Sequence, residues 1–191
     1  MNETWRQLLN RMMRAARLDS VLYEEMETER EASGQAVMIA LLVSAAAGLG
    51  LGVAGLIGTA GPLWFLWGLL GGFFACLVGW LFWVLATYLA GTTILRGHDK
   101  TVYFAHILGT LGYANSPGLL LVLCFIPMIG WAVILLAGIW MLAAGAAALR
   151  QALEFPMSRA FITCLPGWII YMAALLVVYV LLPSPYKMLP F

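Results

Sequence analysis

Three stretches without Asp, Glu, Lys or Arg dominate this chain: Ala32 to Leu95, Thr101 to Leu149 and Ala160 to Tyr186. Each is long enough to hold at least one helix of the roughly 20 apolar residues that cross a bilayer. The 191 residues are 63% hydrophobic and 10% charged, with a mean hydropathy of +0.95. Soluble domains are about a quarter charged, so the expected fold class is an all-α, polytopic membrane protein. The net charge of +1 gives no electrostatic case for nucleic acid. The first apolar run follows an acidic segment rather than a short basic leader, so the first span is expected to be retained.

Ala32 to Leu95 is too long for one crossing, and TAGP at Thr59 to Pro62 divides it. PMIG at Pro127 to Gly130 divides the second run in the same way. Five transmembrane helices are expected: Gln35 to Gly58, Pro62 towards Leu95, Tyr103 to Ile126, Trp131 to Leu149 and Ala160 to Leu182. The basic residues Arg6, Arg11, Arg14, Arg17, Arg30, Arg96, Lys100, Arg150 and Arg159 then share one side, leaving Lys187 alone on the other. The positive-inside rule puts the N-terminus in the cytoplasm and the C-terminus outside, in a cell (plasma or inner) membrane. Trp64, Trp67 and Trp131 beside the outer turns suit an aromatic belt. Small residues four apart, Ser44, Gly48 and Gly52 in the first span and Gly68, Gly72 and Cys76 in the second, allow close helix approach and read as internal packing. A homo-oligomer is not indicated.

One polar interruption stands out in the middle of the second run: YANSPG, Tyr113 to Gly118. Proline lacks an N–H and disfavours helical geometry before it, so the third helix must bend or break near Asn115 and Ser116. Ser116 is expected as N-cap with Pro117 at the first helical position, and Asn115 as partner of the carbonyls released upstream. Tyr103, His106, Thr110 and Tyr113 follow steps of three and four, placing a polar stripe on the helix leading to the break. In hydrocarbon such groups need protein partners, so this face is expected to turn inward.

Catalysis would need a nucleophile with a base, a metal cluster or paired acids. His98 lies in the loop RGHDK and could join Asp99 and Glu154 only if two loops met; His106 could serve as an axial ligand to a pigment, or simply pack. Cys76, Cys124 and Cys164 lie far apart in apolar sequence and read as reduced packing residues. No catalytic residue, metal or cofactor is expected, and the chain is not read as an enzyme. Arg150 and Glu154 are four apart at the end of the fourth span and Arg159 opens the fifth, which marks a solvated loop and a docking candidate.

Residues 1–34 form a cytoplasmic arm before the membrane domain of residues 35–182 and a tail of residues 183–191. Over residues 4–17 a helical wheel gathers Trp5, Leu8, Leu9, Met12, Met13 and Ala16 on one face, with Arg6, Arg11, Arg14 and Arg17 across the other. This predicts an interfacial amphipathic helix on an anionic leaflet. The acidic segment 19–31, including Glu24 and Glu25, is repelled from that surface and is a further docking candidate.

ILGTLGYANSPGLL (Ile107 to Leu120), FIPMIGWAVILLAGIWML (Phe125 to Leu142) and ALRQALEFPMSRA (Ala148 to Ala160), followed by Gly167 and Trp168, carry a resemblance. The chain resembles the Yip family of five-span membrane proteins, named for binding Ypt/Rab GTPases, and particularly its prokaryotic members. The resemblance implies five helices and a cytoplasmic N-terminus. Eukaryotic relatives act in vesicle traffic, but the motif that precedes their first span is absent here, so GTPase binding is not carried over. The reading is a non-catalytic membrane scaffold or accessory subunit with lipid and membrane-protein partners. Its rivals are a small transporter or channel using the broken helix, and a pigment- or cofactor-bearing subunit of a larger complex.

Overall fold

The computed structural model describes residues 3–17, 19, 32–59, 61–94, 104–153 and 156–182. These residues form six α-helices and one 3₁₀ helix, and contain no strand. In chain order the elements are α1 (Glu3–Ala16), α2 (Ala32–Thr59), α3 (Pro62–Ile94), α4 (Phe104–Ala114), the 3₁₀ helix Ser116–Phe125, α5 (Gly130–Leu153) and α6 (Met157–Leu181). Four of them, α2, α3, α5 and α6, are each long and apolar enough to cross a membrane, and α4 with the 3₁₀ helix forms a bent pair that passes the same test. Helix starts lie within a few residues of expectation. Pro62 opens α3, where its missing N–H costs nothing.

α2 and α3 pack antiparallel through the small residues read from sequence. Ser44 lies against Cys76, and a Cβ added to Gly72 would stand 3.0 Å from the Cα of Gly48. A Cβ on Gly68 would stand 2.8 Å from the Cα of Gly52 and 2.3 Å from the Leu51 carbonyl oxygen. The pairs 44 with 76, 48 with 72 and 52 with 68 keep one register over two helical turns. Lipid tails are as apolar as leucine, so these helices gain little from hiding apolar surface. Close backbone contact and dispersion hold them instead. The stripes are internal, as expected.

The third span breaks where expected: α4 ends at Ala114 and meets the next segment at 45°. What the sequence did not indicate is that the second half, Ser116–Phe125, resumes as a 3₁₀ helix. Pro117 has no N–H to give the Tyr113 carbonyl. The Ser116 hydroxyl donates to that carbonyl instead, at 2.7 Å, and Gly118 N–H bonds the Asn115 carbonyl at 2.9 Å, starting the tighter turn. Ser116 is therefore not the N-cap: Asn115 occupies that position, makes no side-chain cap bond, and leaves the released carbonyl to Ser116. The two residues exchange the roles assigned from sequence, because the serine side chain is short enough to fold back one turn while the longer amide reaches across the bundle.

The bent pair runs alongside α2 in the same direction. Ser33 donates to the Ala105 carbonyl at 3.1 Å, Gly112 packs on Ala36, Gly118 on Val43, and the Leu121 carbonyl and Cys124 sulfur on Gly50. α5 returns after a turn in which Met128 takes φ 67°, a left-handed geometry rare for a non-glycine residue. α6 closes the bundle against α3: the Trp83 and Tyr171 rings stack at 5.9 Å, and the Trp83 indole donates to the Cys164 carbonyl at 3.0 Å.

Candidate functional site

The break in the third span sits at the centre of a buried polar joint. Asn115 and Tyr171 are fully buried, and the Tyr171 hydroxyl donates to Asn115 Oδ1 at 3.3 Å. The same hydroxyl lies 3.1 Å from the Cys76 sulfur and 3.9 Å from Met141 Sδ. Four elements, α3, the 3₁₀ entry, α5 and α6, thus converge on one phenol oxygen, whose ring is fixed by the Trp83 stack. Pro117 and Gly118 are buried beside it. The Asn115 amide nitrogen has no partner among the described residues. With neutral groups only, this arrangement can anchor a bend. Among the described residues no three His, Cys, Asp or Glu side chains come together.

The stripe leading to the break becomes more buried along α4. His106 is half-buried, and Thr110 and Tyr113 are buried. The Thr110 hydroxyl is turned onto the His106 carbonyl of its own helix at 2.8 Å. Tyr113 donates from its hydroxyl to Gln35 Oε1 on α2. Tyr103 lies outside the described residues.

Gln35 also receives Arg11 Nη1 at 2.9 Å, which ties α1 to the same corner. The N-terminal helix corrects the expectation here. Its apolar residues do not all share one membrane-facing side: Leu8, Met12 and Ala15 are buried in the bundle, packed towards α4, the 3₁₀ helix and α5. Leu9 and Met13 remain outward, 42% and 56% exposed. Arg14 pairs with Asp19 at 2.7 Å, and the Trp140 indole caps the Ala16 carbonyl at 2.8 Å. Only Arg6 and Arg17 of the four arginines are exposed. The wheel could not separate these two apolar arcs, because a protein groove and a lipid surface make the same demand on side-chain type.

Arg150 and Arg159 are exposed at the facing ends of α5 and α6. The side chain of Trp5, and residues Glu24, Glu25, Glu154, His98 and Asp99, lie outside the described part of the chain. Gln35, Cys76, Trp83, Trp140 and Tyr171 were missed as members of these polar networks. For Tyr171 the one available signal was an aromatic hydroxyl in the apolar run GWIIYMAALL.

The Yip1 domain matches residues 20–179 of this chain. The chain belongs to the Yip family. The match begins after α1 and takes in both the polar joint and the Gln35 corner, so this Yip domain carries the break as part of its own bundle. No curated protein and no solved structure matches the chain. Family and apolar helices together make it a multi-pass membrane protein.

Proposed function

We propose that this Yip-family protein crosses the membrane five times, N-terminus in the cytoplasm, and acts without catalysis as a scaffold or accessory subunit in a cell membrane. Support for the fifth crossing comes from the bent pair's contacts along α2, from Ser33 at one end to Ala54 beside Cys124 at the other. That stretch of α2 is about 32 Å long at 1.5 Å per residue, matching a hydrocarbon core of about 30 Å. The 3₁₀ rise of about 2.0 Å per residue lets the short second half reach as far as it must. The basic asymmetry supplies the orientation.

The observation that carries the scaffold reading is where the polar groups go. Inside the bundle the groups around the break are neutral, the Tyr171 phenol bonding the Asn115 amide oxygen, whereas the exposed charges are Arg150 and Arg159 at the facing ends of α5 and α6 and Arg6 and Arg17 on the outer side of α1. Interaction at the cytoplasmic rim accords with that distribution better than passage through the core, since intramembrane routes are usually lined by ionisable groups. Partners are other membrane proteins and anionic lipid, met by Arg150 and Arg159 on one side and α1 on another. The test is copurification in mild detergent: a partner held by the wild type is lost when Arg150 and Arg159 are both changed to Glu, and kept in Tyr171→Phe. Retention of every partner by the charge-reversed protein would remove the rim from the account.

A further inference from the structure

α1 presents two apolar arcs to two different surroundings. Leu8, Met12 and Ala15 enter the bundle; Leu9 and Met13, roughly a third of a turn away, face outward, and Arg6 and Arg17 occupy the next arc round. The outward side of α1 thus sets exposed Leu9 and Met13 beside exposed Arg6 and Arg17, the composition that seats a helix at the boundary between acyl chains and headgroups.

On the inner side, α1 is wired to the break. Arg11 and Tyr113 share one acceptor, Gln35 Oε1, and Tyr113 is two residues before Asn115. We propose that α1 is a lipid-fastened clamp: anionic phospholipid headgroups on Arg6 and Arg17 hold it in its docked position, and through Arg11 and Gln35 steady Tyr113 and the bend beyond it. The geometry favours fastening over release. The headgroup arc and the docking arc are different sides of the helix, so the lipid does not compete with Leu8 or Met12. Undocking would break the Arg11 and Trp140 hydrogen bonds without giving Arg6 or Arg17 any phosphate they cannot already reach. A ligand that reads the docked arrangement draws the equilibrium towards it. This rests on the lipid-contact reading above and adds its consequence for the break.

Two measurements on the full-length protein in nanodiscs test it. Met12→Cys should react with a maleimide about 25-fold more slowly when phosphatidylglycerol is added to phosphatidylcholine, from about fivefold for each arginine near an anionic surface. Native Cys76, Cys124 and Cys164 are buried and supply the background. Arg6→Gln with Arg17→Gln should abolish the difference. Backbone hydrogen exchange over residues 112–118 should slow with phosphatidylglycerol in the wild type, lose that response in Gln35→Leu, and regain it in Gln35→Glu, which keeps an acceptor. Lipid-independent labelling, or a response that survives loss of both arginines, overturns the lipid contact and the clamp with it. Lipid-dependent labelling with unchanged exchange at the break leaves the contact standing and overturns the clamp alone.

Discussion

Valine in place of Gly68 should cost the folded bundle about 3 kcal/mol, the upper range for forcing volume into a packed core. The new Cβ would fall 2.3 Å from the Leu51 carbonyl oxygen and 2.6 Å from its carbon, and backbone cannot swing aside as a side-chain tip can. α2 would have to leave α3, and with it the Gly48–Gly72 contact and the Ser44–Cys76 approach one and two turns further along. Gly91, in the same helix, is the matched control, because a Cβ there meets nothing within 4 Å. Gly91→Ala should be neutral or gain up to about 1 kcal/mol from helix propensity. Thermal unfolding in detergent, read by size-exclusion chromatography after heating, compares the two. Equal midpoints would mean that the α2–α3 contact is looser than its glycines indicate.

The second large effect is expected at Trp83. Trp83→Ala should cost about 3–5 kcal/mol, the range for emptying a buried aromatic site. The indole is fully buried, stacks on Tyr171, and fills space against Gly145 and Gly167. Losing it also frees the Tyr171 ring, so the hydroxyl no longer holds Asn115. Tyr171→Phe separates the two contributions. It keeps the stack and removes only the oxygen shared by Asn115, Cys76 and Met141, at an expected cost of about 1–2 kcal/mol, since hydrogen bonds between membrane helices are individually weak. In the Trp83→Ala background the same Tyr171→Phe change should cost much less, because the bond is already lost. Full additivity of the two changes, measured in one double-mutant cycle, would show that Trp83 does not position the phenol.

The turns were legible because they are written in local chemistry. Pro62 opens a helix at the one position where its missing N–H is harmless, Pro117 breaks one through the same lack, Pro127 marks a turn, and Gly48, Gly52, Gly68 and Gly72 sit at the spacing of close helix packing. The form of the chain beyond Pro117 was not legible. In the 3₁₀ form the Leu121 carbonyl lies against Gly50, a residue 71 positions earlier, and such a contact is not written in the local sequence. The same holds for Asn115 and Tyr171, 56 residues apart, and Cys76 and Tyr171, 95 apart. No helical wheel pairs residues on different helices. The docking of α1 escaped for another reason: Leu8 and Leu9 are identical in sequence terms, yet one enters the bundle and the other faces outward.

That the broken third span is a single crossing is the claim on which the rest depends. If α4 and the 3₁₀ helix instead dipped into the membrane and returned, α5 and α6 would both reverse, and the turn at Met128 would exchange sides with the start of α6. Met128 and Ser158 are both exposed and serve as reporters. In sealed cells, an impermeant maleimide should label Met128→Cys and leave Ser158→Cys unlabelled until the membrane is opened. Labelling of Ser158→Cys with protection of Met128→Cys would contradict the five-span account.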